Sequence, residues 1–351
     1  MTRITLLCIG CWLPLVAQAQ LGGQETFAFL RLPPSARVTA LGNVLITTQD
    51  DDVALALGNP ATLNARMNDQ LSFNSAFVAP DVYSGYAAYA HSLKKWTLHG
   101  GIQYLNYGKI VATDEIGTEQ GTLKANDYAL TLGAGRKISK HYSVGINARF
   151  ITSQLESYHA TGIAADLGAM YLDTAKGFTA AIVLRNVGAQ LSSYYGANGS
   201  ERLPTELQMG ISQRLRHLPF RVSLTLQHLE RWEIRYDDPY AVKETNVFGQ
   251  TETADTSLYW LDNAARHLAV GGEFLLGKKE NFRVRLGYNH LLRSELLPKN
   301  TRGFVGLSFG MGFKVSQFRF EYGYQIRHFA GGTHAISIAA NLGDFRRKAS
   351  N

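Results

Sequence analysis

The chain has 351 residues, 45% of them hydrophobic, with 34 glycines, 17 phenylalanines, 17 tyrosines and a formal charge of +7. That length suits one large barrel or two ordinary domains, and a mean hydropathy near zero excludes a helical membrane protein. The basic residues are spread along strands and turns, with one run of three, Arg346, Arg347 and Lys348, at the C-terminus, so the charge lacks the clustering of a nucleic-acid binder, and no nucleic acid is expected as a partner.

Residues 1–19 read as a signal peptide. Arg3 supplies the positive region, 4–16 the apolar region, and Ala17, Gln18 and Ala19 a small-x-small cleavage site, so the mature chain is expected to begin at Gln20. Both cysteines, Cys8 and Cys11, lie in that segment, which leaves the mature chain without a disulfide or a thiolate metal site. No later run approaches the roughly 18 apolar residues of a spanning helix. A chain of this kind crosses a bilayer only as a closed barrel.

Residues 20–70 do not alternate and read as a small plug. Asp50, Asp51 and Asp52 are expected to cap a short helix through Leu57, and Asn59 precedes Pro60 as a cap before a first-turn proline. Arginines on the wall would seat this segment by charge. Arg37, Asp50, Asp51, Asp52 and Asn59 are therefore the candidate residues of a plug in the lumen.

From 71 to 345 apolar and polar residues alternate in segments of about ten. In 317–327 Phe318, Phe320, Tyr322, Tyr324 and Ile326 share one face, and Arg319, Glu321, Gln325 and Arg327 the other. Such segments fall near 71–78, 83–92, 96–106, 127–137, 142–153, 161–171, 178–187, 205–214, 220–230, 266–276, 282–292, 303–313, 317–327 and 334–343. That predicts an all-β, antiparallel transmembrane barrel of fourteen strands. Short and long connections alternate along the sequence, which puts both mature termini on the periplasmic side and the loop 231–265 outside. Because an arginine at the lipid midplane of a barrel costs about 2 to 4 kcal/mol, Arg149, Arg283 and Arg285 belong to the lumen. Tyr86, Trp96, Tyr107, Tyr142, Tyr171 and Trp232 fit interfacial girdles. Residues 346–351 read as a basic tail.

Motifs for chemistry are weak. Gly306 to Gly310 has the glycine-x-serine-x-glycine spacing of a hydrolase elbow, but Ser308 lies within a strand pattern with no helix after it. The histidines lack zinc-site spacing, and there is no phosphate loop. No catalytic residue, metal or cofactor is expected. The loop 231–265 carries Trp232, Tyr236, Tyr240, Phe248, Tyr259 and Trp260, and clustered aromatics of this kind anchor protein partners.

Ser35-Ala36-Arg37, Ala40-Leu41-Gly42, Asp50 to Asp52 and Asn59-Pro60-Ala61 resemble the N-terminal signature of the FadL-like barrel superfamily. Further stretches, among them Gly22 to Phe27, Gly101 to Gly108, Tyr236-Asp237-Asp238-Pro239 and Gly287-Tyr288-Asn289-His290, resemble the PorQ-type outer-membrane family of the type IX secretion system in Bacteroidetes. The resemblance implies a fourteen-stranded, plugged barrel of FadL-like, PorV-related type. It further implies a non-catalytic part in the cell-surface attachment complex, with PorZ-like, PorU-like and PorV-like proteins as partners, and outer-membrane lipid and lipopolysaccharide around the wall. The FadL-like fold also admits a channel for hydrophobic small molecules.

Overall fold

The structure, a computed structural model, describes residues 25–194, 201–235, 256–297, 303–328 and 331–349. The alternating segments form β1 (Gln70–Ala79), β2 (Val82–Leu93), β3 (Trp96–Asn106), β6 (Ala125–Lys137), β7 (Tyr142–Leu155), β8 (Tyr158–Asp173) and β9 (Phe178–Ser192). They continue with β10 (Glu206–Arg214), β11 (Phe220–Leu226), β12 (Leu268–Leu276), β13 (Phe282–Asn289), β14 (Leu307–Val315), β15 (Phe318–His328) and β16 (Gly331–Asn341). These fourteen strands pair antiparallel with their neighbours, and β1 pairs with β16 to close the barrel. Closure leaves no sheet edge to satisfy in lipid. Among the described residues no helix is long and apolar enough to cross a membrane.

The two faces of the wall follow the period of two. On β7, Ser143, Asn147, Arg149 and Ser153 are buried, whereas Tyr142, Ile146 and Phe150 are exposed. Phe73, Leu132, Ile163, Leu167, Leu286, Phe309 and Ile336 extend the exposed apolar belt around the barrel. Trp96, Tyr107 and Tyr142 sit exposed at strand ends as expected of a girdle. Tyr86 does not. It is only 3% exposed and packs among Val53, Ala54 and Leu57 of the N-terminal segment, because it shares the luminal face with Ala88 and Ala90.

Six connections at one end of the barrel, here the near end, are two to five residues long. The far end carries the long connections 107–124, 193–205, 227–267 and 290–306, but also tight turns at 80–81 and 156–157. Strict alternation of short and long is thus broken. The connection 107–124 holds a separate hairpin, β4 (Ile110–Thr113) and β5 (Glu119–Leu123), which alternation did not reveal. The segments expected at 220–230 and 282–292 overshoot their strands. After Leu226 the chain turns at His228 with φ +57°, and Asn289 ends β13 by accepting from Leu291 N at 3.1 Å, which caps a short helix at His290–Leu296. The closing strand stops at Asn341, and the expected tail begins earlier as a helix, Leu342–Ala349, whose Phe345 packs edge-on against Phe318 at 5.6 Å.

Residues 25–69 lie inside this wall. Thr26 N donates to the Arg202 carbonyl at 3.0 Å in the long 193–205 connection, so the described chain starts at the far end and descends to Gln70 at the near rim. The first described residue, Glu25, thus lies at the end of the barrel opposite Asn341, where β16 ends. A segment that threads the lumen once before entering β1 at the near end has to start at the far mouth. Ala19 and Gln20, the expected cleavage site, lie outside the described residues.

Candidate functional site in the plugged lumen

The plug's first helix, α1 (Ala36–Ala40), is capped by Ser35, whose Oγ accepts from Val38 N at 3.4 Å. The wall facing it is bare where the plug backbone touches. A Cβ at Gly323 would collide with the Ala36 carbonyl, and one at Gly310 would lie 2.6 Å from Ala40 Cβ. Wall hydroxyls and amides meet the remaining backbone groups. Ala36 N donates to Ser337 Oγ at 2.8 Å, Gly42 N to Ser308 Oγ at 3.0 Å, and Asn289 Nδ2 to the Gly42 carbonyl at 2.9 Å. Ser308, the serine of the elbow-like motif, is therefore a docking acceptor within β14.

Arg37 points from α1 into an ionic cluster at the near end and is fully buried. It reaches Asp50 at 2.7 Å, Glu273 at 2.9 Å and Asp52 at 3.6 Å. Strand register puts Glu273 opposite both Arg221 and Arg285, which bind it at 3.1 and 2.8 Å. Arg285 also spans β14 to Glu321 at 2.8 Å, passing over Gly312, where a side chain would crowd both partners. Arg319 pairs with Asp51, which Lys314 approaches at 3.7 Å, and Arg283 lies 3.8 Å from Asp50.

The three acids of the triplet differ in charge environment. Burial opposes ionisation of Asp50, yet Arg37, Arg283 and Arg319 hold its carboxyl well below the usual range. Burial first, and then the nearby Glu321, push Asp52 up to about 6. Asp52 Oδ1 accepts from Ala54 N at 3.1 Å, but the next helix, α2 (Leu55–Gly58), has Ala54 as its cap residue, so the triplet serves the ionic seat more than the helix end.

Beside the ionic cluster Asn59 Oδ1 accepts from Ala61 N at 2.9 Å, capping the turn Pro60–Thr62, while its Nδ2 donates to the Ile46 carbonyl at 2.7 Å. Added side chains at Gly135 and Gly145 would strike Pro60. Arg149, paired with Asp166, donates to the Leu57 carbonyl at 2.8 Å. At the far end Phe27, Phe29 and Leu30 pack against Leu105, Ile151 and Leu203, and Glu25 binds Arg31 and Arg231, each at 2.6 Å. Two cavities beside the plug measure about 20 and 10 Å³, room for roughly one water each.

The candidate residues of the plug, Arg37, Asp50, Asp51, Asp52 and Asn59, thus all lie inside the barrel. Of the loop aromatics, Trp232 and Trp260 are 56% and 59% exposed at the far mouth. Tyr259 sits under the Arg235 guanidinium at 4.8 Å, and Trp232 stacks on His267 at 5.2 Å. Tyr236 and Tyr240 lie outside the described residues. Sequence reasoning sets Glu321 on the polar face of its strand but does not single out Glu273, Asp166 or Glu25. Charged residues on the luminal face of a strand, opposite a plug of mixed charge, are the signal that could have found the first two.

No protein-family model matches the chain, and no curated protein matches it. Solved barrels share the fold. A deletion mutant of the TodX monoaromatic hydrocarbon channel superposes with a TM-score of 0.57 at 12% identity over 88% of this chain and 99% of that one. The toluene transporter TodX of Pseudomonas putida gives 0.52 at 11% identity, covering 88% and 96%. The CymD monoaromatic hydrocarbon channel gives 0.53 at 12% identity, covering 90% and 99%. The chain has the architecture of these FadL-like barrels.

Proposed function

We propose that the protein is a non-catalytic outer-membrane barrel that anchors a protein assembly at the cell surface. The observation that carries this reading is the occupied lumen: the described plug is fixed by a buried ionic cluster, and two spaces beside it measure only about 20 and 10 Å³. The near end then faces the periplasm, and the exposed Trp232 and Trp260 offer anchors to a partner outside. The PorQ-type resemblance supports a PorZ-like partner, with PorU-like and PorV-like proteins in the same type IX secretion assembly.

The solved structures favour a second reading, a channel for hydrophobic small molecules, since those they describe are hydrocarbon channels. The apolar cluster around Phe27, Phe29 and Leu30 at the far mouth is the feature of this chain that fits it. Against it stand Arg37, Arg149, Arg285, Glu273 and Glu321, charged side chains buried in the described lumen. Affinity purification of the tagged protein from gently solubilised membrane separates the two. Stoichiometric recovery of surface proteins supports the anchor, whereas a lone barrel carrying fatty acid or hydrocarbon overturns it.

A further inference from the structure

The outward side of the wall has a dent. Register across β7 to β10 sets Val144, Ala169, Ile182 and Met209 in one outward row, and Tyr171, Ala180 and Ile211 in the next row toward the near end. Their neighbours in these rows are long or branched, but Ala169 and Ala180 end at a single methyl. The two alanines are diagonal neighbours on adjacent strands. Between them the surface falls back to the backbone, which leaves a groove of about 860 Å³ with an almost wholly apolar lining. That volume is within the range of sites for organic ligands.

The groove's position indicates what fills it. It continues the exposed apolar belt, so the medium at its opening is bilayer. It runs out at the near rim beside Ile138 and Ser139 of the turn between β6 and β7. There Tyr171 packs against Tyr142 at 5.3 Å and stacks on His141 at 5.6 Å, an aromatic group of the kind that marks headgroup depth. In the same turn Lys140 is exposed and has no ion-pair partner among the described residues. An apolar slot below an aromatic rim with a free ammonium above it matches a glycerophospholipid, chain down and phosphate up. A second copy of the barrel would have to present a narrow ridge to the slot, whereas a flexible chain takes its shape.

We propose that this groove holds one acyl chain of a phospholipid of the near, periplasmic leaflet, with its phosphate beside Lys140. The inference rests on the reading of the wall as membrane-spanning, and not on the identity of any protein partner. The test is native mass spectrometry of the full chain extracted from liposomes of phosphatidylethanolamine and phosphatidylglycerol, limited to protein whose gel mobility is heat-modifiable and hence folded as a barrel. One phospholipid adduct should survive delipidation. Filling the groove with Ala169→Phe and Ala180→Phe should lower the retained fraction about tenfold and Lys140→Glu by about threefold, while Ala87→Phe, on the outward face of β2, leaves it unchanged. Equal retention in all variants, a second copy bound in place of lipid, or no adduct on the folded wild type would overturn the site without touching the anchor reading. Failure of the chain to enter liposomes as a heat-modifiable barrel would overturn both.

Discussion

The two ends of the plug are held by different forces. At the near end Arg37 is fully buried among carboxylates that are themselves held by Arg221, Arg283, Arg285 and Arg319. At the far end an apolar cluster does the packing, and the ion pairs of Glu25 are partly open to solvent, with side chains 20% to 30% exposed. Loss of one partner in a buried network strands the others, while a partly solvated pair contributes little. The plug is therefore fixed at its base and more loosely sealed at its mouth. Any movement should begin at the mouth.

The largest effect that would break this contrast is expected at the base. Arg37→Ala leaves Asp50, Asp52 and Glu273 facing one another and should cost about 3 to 5 kcal/mol in denaturant unfolding of the reconstituted barrel. At the mouth, Leu30→Ala opens a cavity and should cost about 2 to 4 kcal/mol by the same measurement. Gly323→Ala forces a methyl into the Ala36 carbonyl, with a loss of about 1 to 3 kcal/mol and a displaced α1 detectable as faster amide exchange in 36–40. Glu25→Gln should change stability by less than about 1 kcal/mol; a loss as large as that of Arg37→Ala would erase the distinction between the two ends.

The smallest effect is on pH dependence. The fold disfavours the ionised form of Asp52, so stability should rise as pH falls through about 6 towards the unfolded carboxyl value. Asp50, whose carboxyl is held low, contributes stability above its unfolded value, and loses that contribution only in stronger acid. Asp52→Asn should flatten the rise between pH 7 and 5 and leave the acid loss in place, as read from unfolding midpoints.

The wall was legible because each strand repeats one physical requirement, apolar outward and polar inward, and Arg319, Glu321 and Gln325 fall on the buried side as expected. Partners across the lumen were not legible. That Glu273 stands between Arg221 and Arg285 follows from the registers of two strand pairs, and that Arg285 reaches Glu321 depends on the empty position at Gly312. Residue type alone puts Tyr86 in the girdle, whereas its alternation with Ala88 and Ala90 sets it on the luminal face. The hairpin at Ile110–Thr113 and Glu119–Leu123 is not legible because its strands are only four and five residues long and are exposed on both faces, which leaves no alternation to read.

Single-channel recording in planar bilayers tests the sealed lumen most directly, comparing the full chain with a variant lacking residues 25–69. The full chain should give no resolvable conductance steps and the deletion variant large ones. Steps of equal size from both would show that the plug does not close the barrel.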